Sequence, residues 1–246
     1  MKMTVKFCLF VLVLFLSVFS SSCSQAPAAP EYNQEFIYEA KFQNGIFPNS
    51  SYVFTADAGL SSVGTDISYN TCTEMYVGRS AATRYRSVVK FDLSSLPAGA
   101  EVVKAELKLS IQGATSRGVT VTAYDISNLW ESVTAGCGVS AGNSYDPRWN
   151  GPWSTAGGDL SSPVSNSAYI SQNSVTRYLT LNLDTALVQR WIRNGTSLNQ
   201  AESNNGVLLK GTDETSTDAY AYFITSENTD SPQLAPLLIV YYKNGL

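Results

Sequence analysis

From Tyr52 onward, short runs of Val, Tyr, Thr, Leu and Phe recur between clusters of Gly, Asn, Ser and Pro, the pattern of strands punctuated by turns. Nine runs stand out: YVFTADA, EMYVGR, YRSVVKFDL, EVVKAELKLSI, GVTVTAYDI, RYLTLNL, GVLLKG, AYAYFIT and PLLIVYYK. In the fourth, Val103, Ala105, Leu107, Leu109 and Ile111 fall on one face and Lys104, Glu106, Lys108 and Ser110 on the other. That period of two predicts a half-buried strand. One segment, DTALVQRWIRNG, departs from it: Leu187, Val188, Trp191 and Ile192 recur at helical spacing, with Asp184 placed to cap the start and Gly195 the end. The expected fold class is therefore all-β, an antiparallel β-sandwich or jelly roll with one short helix plugging an end and Trp191 in the core.

The first 22 residues follow a different logic. Lys2 and Lys6 precede the apolar run FCLFVLVLFLSVF, and small residues follow it, which is the pattern of an export signal. The run is too short for a membrane span, which takes about 20 residues. Cys23 comes after three serines and resembles the lipobox of bacterial lipoproteins, implying a lipid-anchored N-terminus; plain secretion is the alternative. Residues 24–35, SQAPAAPEYNQE, are small and unpatterned, as a tether is. Residues 36–50, FIYEAKFQNGIFPNS, alternate apolar positions ahead of the first predicted strand of the domain and form a possible extra strand without an evident partner. The expected organisation is a signal peptide over 1–22, an N-terminus, tether and possible strand over 23–50, and one sandwich domain over 51–246.

Composition narrows the chemistry. Charged residues are 15% of the chain and the formal charge is −4, made more negative by two when Lys2 and Lys6 leave with the signal. Phosphates need a basic footprint that this chain lacks, so nucleic acid is not an expected partner. There is no histidine, which removes the usual base of a serine hydrolase and the commonest zinc ligand. The stretch GVSAG, Gly138 to Gly142, accordingly reads as a chance match to a nucleophile elbow, and no catalytic residue or metal site is assigned. Beyond Cys8 and Cys23 only Cys72 and Cys137 remain, which in an oxidising compartment predicts one disulfide; two separate buried thiols are the alternative. The acidic loop GTDETSTD carries Asp213, Glu214 and Asp218 and reads as a solvated turn, with structural calcium as the alternative and no other cofactor expected. Carboxylate-pair hydrolysis and lyase chemistry depend on separations in space, so a polysaccharide-active enzyme stays open.

Several stretches, taken in order, resemble the disaggregatase-related (DNRLRE) module, a secreted β-sandwich that overlaps carbohydrate-binding module family 96. RYRSVVKFDLSSLPAGAEVVKAELKLSI resembles its arginine-led strand, Phe-Asp-Leu-Ser turn and following strand. LWES and RWNGP are similar to its Trp-x-Glu and Trp-Asn-x-Pro elements. LDTALVQRWIRNG resembles its helix, NNGVLLKGTDE its Asn-x-Gly strand and APLLIVYY its closing strand. The resemblance implies binding of cell-surface or matrix polysaccharide without chemistry. Here SVTAGCGVSAGNSYDP separates the two tryptophan elements, which the family joins closely. The stretch YDPRWNGPW ends that insertion: Trp149 coincides with a family element and is expected in the core, while Tyr145 and Trp153, with Arg148 between them, are the candidate glycan contact. The competing reading is a subunit of a surface fibre or layer, self-associating by adding residues 36–50 to a neighbour's sheet edge.

Overall fold

A computed structural model describes residues 35–53, 55–131, 136–142, 144–172, 177–194, 204–215 and 218–244. Cys23, residues 24–34 of the tether and Gly195 lie outside the described residues. The described strands are β1 (Tyr38–Phe42), β2 (Thr55–Ser61), β3 (Ile67–Ser68), β4 (Glu74–Ser80), β5 (Thr83–Phe91), β6 (Ala100–Ala114), β7 (Val119–Ile126), β8 (Val139–Ser140), β9 (Leu160–Pro163), β10 (Ala168–Ile170), β11 (Tyr178–Leu183), β12 (Val207–Gly211), β13 (Ala219–Ile224) and β14 (Leu237–Asn244). One helix, α1 (Thr185–Asn194), falls between β11 and β12. Every one of the nine expected strands forms, and all sheet pairings are antiparallel.

Two layers face each other. One runs β1-β14-β6-β11 and the other β13-β4-β5-β12-β7, with β2 on the far edge of β5 and β9 and β10 beyond β7. The core between them is filled by Leu107, Leu109, Leu181, Leu238 and Val240 from the first layer and Met75, Val77, Val121, Leu209 and Phe223 from the second. Strand β6 belongs to both: its first part pairs with β14 and β11, and its last residues pair with β13. Register shifts at Tyr241/Tyr242 and Tyr222/Phe223 mark a bulge at each junction. The first bulge corrects the simple alternation, because it turns Val103 outward and brings Val102 into the core.

Helix α1 closes one end as expected. Asp184 Oδ1 accepts from the Ala186 amide at 2.8 Å, and Leu187, Val188 and Trp191 are buried. Gln189 exchanges two hydrogen bonds with the backbone at the start of β6, 2.9 Å to the Val102 amide and 2.8 Å to the Ala100 carbonyl. Arg190 pairs with Asp125 of β7 at 2.7 Å.

Residues 36–50 supply the extra strand, and it has a partner that the sequence did not reveal: β1 pairs over its whole length with β14 of the same chain, Tyr38 opposite Tyr242 and Phe42 opposite Leu238. The domain thus begins before residue 51, with Phe42 fully buried in its core.

The second layer is covered on its outer face as well. Ala58, Leu60, Val88 and Leu208 there form a second apolar cluster with Trp130, Trp149 and Trp153. Strand β5 presents Arg84, Arg86 and Lys90 to the same face, and the indoles lie over them. The guanidinium carbons of Arg84 and Arg86 are each 5.1 Å from the Trp149 ring, and Lys90 Nζ is 4.4 Å from the Trp130 ring. Burial depresses the Lys90 ammonium below its ordinary pKa, and Nζ donates to the Trp130 carbonyl. Arg86 satisfies the rest of its fork by donating through Nε and Nη2 to the two Glu214 oxygens, both at 2.7 Å, and through Nη1 to the Gly157 carbonyl at 2.7 Å.

Replacing Arg86 removes all of these at once and leaves the Glu214 carboxylate partly buried without a cation. Arg86→Ala is expected to destabilise the domain by about 3–5 kcal/mol. Urea unfolding measures it, and a loss under 1 kcal/mol would show the pair to be peripheral.

Candidate functional site

The most chemically complex surface arises from the alternation of β4 and β13. Met75 and Val77 of β4 point into the core with Ala219, Ala221 and Phe223 of β13, so Tyr76, Tyr220 and Tyr222 point the other way. The register sets Tyr222 opposite Tyr76 and Tyr220 opposite Gly78, and Tyr85 of β5 lies opposite Gly78 from the other side. Glycine at 78 carries no side chain between the rings. Tyr76 stacks on Tyr222 with centroids 5.4 Å apart and 21° between planes. Tyr76 lies 5.6 Å from Tyr85, and Tyr220 lies 6.2 Å from both. All four rings are half-buried and so keep part of their faces open.

Tyr76 and Tyr85 run into an open cleft of about 490 Å³. Gly59 and Ser61 of β2 and Tyr69, which bridges to Gly59, line it on one side, and Thr73, Glu74 and Thr83 supply polar groups. The Cys72–Cys137 disulfide forms part of the wall, with Cα atoms 4.8 Å apart. It ties the insertion to the turn before β4, and β8 of the insertion pairs with β3. A formed disulfide is the chemistry of an oxidising compartment. Among the described residues no helix is long and apolar enough to cross a membrane.

Tyr76 Oη donates to Glu74 Oε2 at 2.8 Å. Burial, and then the neighbouring Glu74 carboxylate, push the Tyr76 phenol up to about 12. It is thus a neutral donor at physiological pH and poorly suited to act as a base. The cleft offers stacking faces, hydroxyls and one carboxylate.

A buried acid pair lies behind the cleft. Asp57 precedes Gly59 on the same face of β2 and is sealed from solvent. Its Oδ2 accepts from the Ser226 amide at 2.9 Å, and its carboxyl hydrogen-bonds that of Glu227. Burial raises both groups above the ordinary 3.8 and 4.5, and the Asp57 charge raises Glu227 further. One shared proton accounts for Asp57 Oδ1 and Glu227 Oε2, which have no other donor. Carboxyls in direct contact are closer than either glycosidase arrangement, whose separations begin at about 5 Å.

The sequence-predicted site residues do not come together as a platform. Trp153 is 6% exposed and Trp149 3%, both in the outer apolar cluster. Trp153 is thereby corrected from surface to interior: its indole N–H donates to the Arg148 carbonyl at 2.9 Å, and the ring packs in the outer apolar cluster. Arg148 is half-buried, with Nε 3.8 Å from Asp66 and Nη1 donating to the Asp146 carbonyl at 3.3 Å. Only Tyr145 is at the surface, 46% exposed. In the acidic loop, Asp213 accepts from Thr215, Glu214 from Arg86, and Asp218 from Ser80 and the Ala81 amide. These carboxylates turn to separate donors, and among the described residues no three His, Cys, Asp or Glu side chains gather as a metal would require. The signal for the tyrosine cleft was present in AYAYFIT, where alanines take the inward positions and leave two tyrosines facing out.

No protein-family model and no curated protein matches the chain.

Two outcomes are expected. The acid pair's contribution to stability is full below the ordinary carboxylate values and is lost as pH rises through the raised ones, because the folded state holds a proton that the unfolded chain releases. The melting temperature therefore falls between about pH 5 and about pH 8, and Glu227→Gln, which cannot ionise, flattens that slope; an unchanged slope in the variant would rule out the shared proton. The disulfide closes a loop of sequence separation 65. A Cys72→Ser, Cys137→Ser double variant should lose about 4 kcal/mol of stability, read by denaturant unfolding.

Proposed function

We propose that the chain is an exported polysaccharide-binding module of the disaggregatase-related type, held at the cell surface by lipid on Cys23, and that the tyrosine cleft is its glycan contact. The observation that carries this reading is the run of four half-buried tyrosines across β4, β5 and β13, opening into a cleft with hydroxyl and carboxylate groups. Tyrosine supplies broad, rigid contact area and a polar tip at low entropic cost, which suits the C–H faces and hydroxyls of a sugar. The disulfide and the export pattern of the N-terminus support an extracellular setting. The neutral phenol of Tyr76 and the direct hydrogen bonding of the two buried carboxyls to each other favour binding over chemistry. Assembly by strand donation is less favoured, because β1 already has a partner in its own sheet and would have to leave it.

Affinity electrophoresis through gels containing soluble neutral, acidic or amino polysaccharides tests the proposal. At least one polymer should retard the protein. A Tyr76→Ala, Tyr222→Ala double variant should lose about 1–3 kcal/mol per ring, on the scale of stacking against aromatic side chains. Tyr145→Ala should migrate like the parent. Absence of retardation in every gel would overturn the proposal, as would loss of retardation in the Tyr145 variant alone.

A further inference from the structure

We infer that the tyrosine cleft selects a glycan bearing free amino groups, a polymer of unacylated hexosamine; this rests on the polysaccharide-binding reading of the same cleft. The inference starts from a charge without a counterpart. Among the described residues lining the cleft, Glu74 is the one Asp or Glu, and none is Lys or Arg. Its hydrogen-bond partner is the Tyr76 hydroxyl, and no ion pair involves it among the described residues.

The nearby cations are committed elsewhere. Arg79 donates to the carbonyls of Ala81, Glu214 and Thr215 at 2.8, 3.0 and 2.9 Å, and Arg84 lies over Trp149 on the opposite face of β5. A concave, aromatic-walled site concentrates the field of the Glu74 carboxylate, attracting cations and repelling uronate or sulfate groups.

The rings point the same way by a different mechanism. The π faces of Tyr76, Tyr85 and Tyr69 carry negative quadrupole density, so an ammonium held among them gains cation–π attraction as well as a charge-assisted hydrogen bond to Glu74. A neutral sugar gains only stacking and ordinary hydrogen bonds there, and an acidic sugar meets repulsion from both.

Isothermal titration of the purified protein with four soluble oligomers decides it: β-1,4-linked glucosamine, its fully N-acetylated counterpart, a neutral β-1,4-glucan and an oligoglucuronate. Glucosamine should bind at least about tenfold more tightly than its acetylated counterpart, as expected for hydrogen bonds to a charged group, and added salt should erode the difference. Glu74→Gln should abolish the preference while leaving weak binding of the acetylated oligomer. Equal or better binding of the acetylated, neutral or acidic oligomer overturns the amine inference, and leaves the broader reading intact when Tyr76→Ala, Tyr222→Ala removes that binding. Failure of all four to bind overturns both. The comparison among ligands needs no variant, so it decides the matter even should Glu74→Gln fold poorly.

Discussion

The guanidinium of Arg86 is the contact on which the outer architecture depends. The face of the second sheet beneath the insertion is apolar, and apolar surfaces attract a covering loop without saying where it must lie. Arg86 supplies direction. Its plane receives the Trp149 ring, and its donors engage the Glu214 carboxylate and the Gly157 carbonyl, fixing to β5 two segments distant in sequence. A lysine, with a compact charge and no planar fork, could not make the stack and the paired bonds together. Lys90 repeats a simpler version of the arrangement with Trp130 two positions beyond Val88.

Anchoring the insertion on that face has an effect on the opposite side of the sheet. The insertion reaches from the outer tryptophans to Cys137, and its disulfide to Cys72 forms part of the cleft wall beside the tyrosines. One segment therefore serves as core on one face and as binding-site wall on the other. The buried acid pair adds pH sensitivity to the same region, since Ser226, which donates to Asp57, follows Thr225, whose hydroxyl donates to the Cys72 carbonyl.

The layered fold was legible because strands such as β6, β11 and β13 bury one face only. β13 and β14 each announce themselves by alternation or by aromatic and β-branched content, and the helix by its spacing and its aspartate cap. Three things escaped. Bulges are local geometry, so Val102 and Val103 exchange faces without any change in composition. Arg84, Arg86 and Lys90 alternate as a solvent-facing row does, and only the three-dimensional path of the insertion shows that indoles cover them. Trp153 drew attention as a loop aromatic, yet loop residues pack when a loop lies across a sheet. Of the tyrosine cluster only Tyr220 and Tyr222 stood out, in the alternation of AYAYFIT; their meeting with Tyr76 and Tyr85 across β4, β5 and β13 lies outside any local window.

Covering a sheet on both faces removes a safeguard. In β12, Val207, Leu208 and Leu209 are all buried, two facing the sandwich core and one the outer cluster, so sliding the strand by one position would exchange one aliphatic side chain for another with little exposure. Hydrophobicity alone leaves its alignment nearly degenerate. The degeneracy is lifted just before the strand: Gly206 has φ +72° and sits so close to the Val89 carbonyl and Lys90 that a Cβ there would collide with both. Asn205 beside it accepts from the Trp130 indole and donates to the Ile126 carbonyl. Neither Val207 nor Asn205 could take the glycine's place, so the alignment of this aliphatic strand is set by the glycine and the asparagine that precede it.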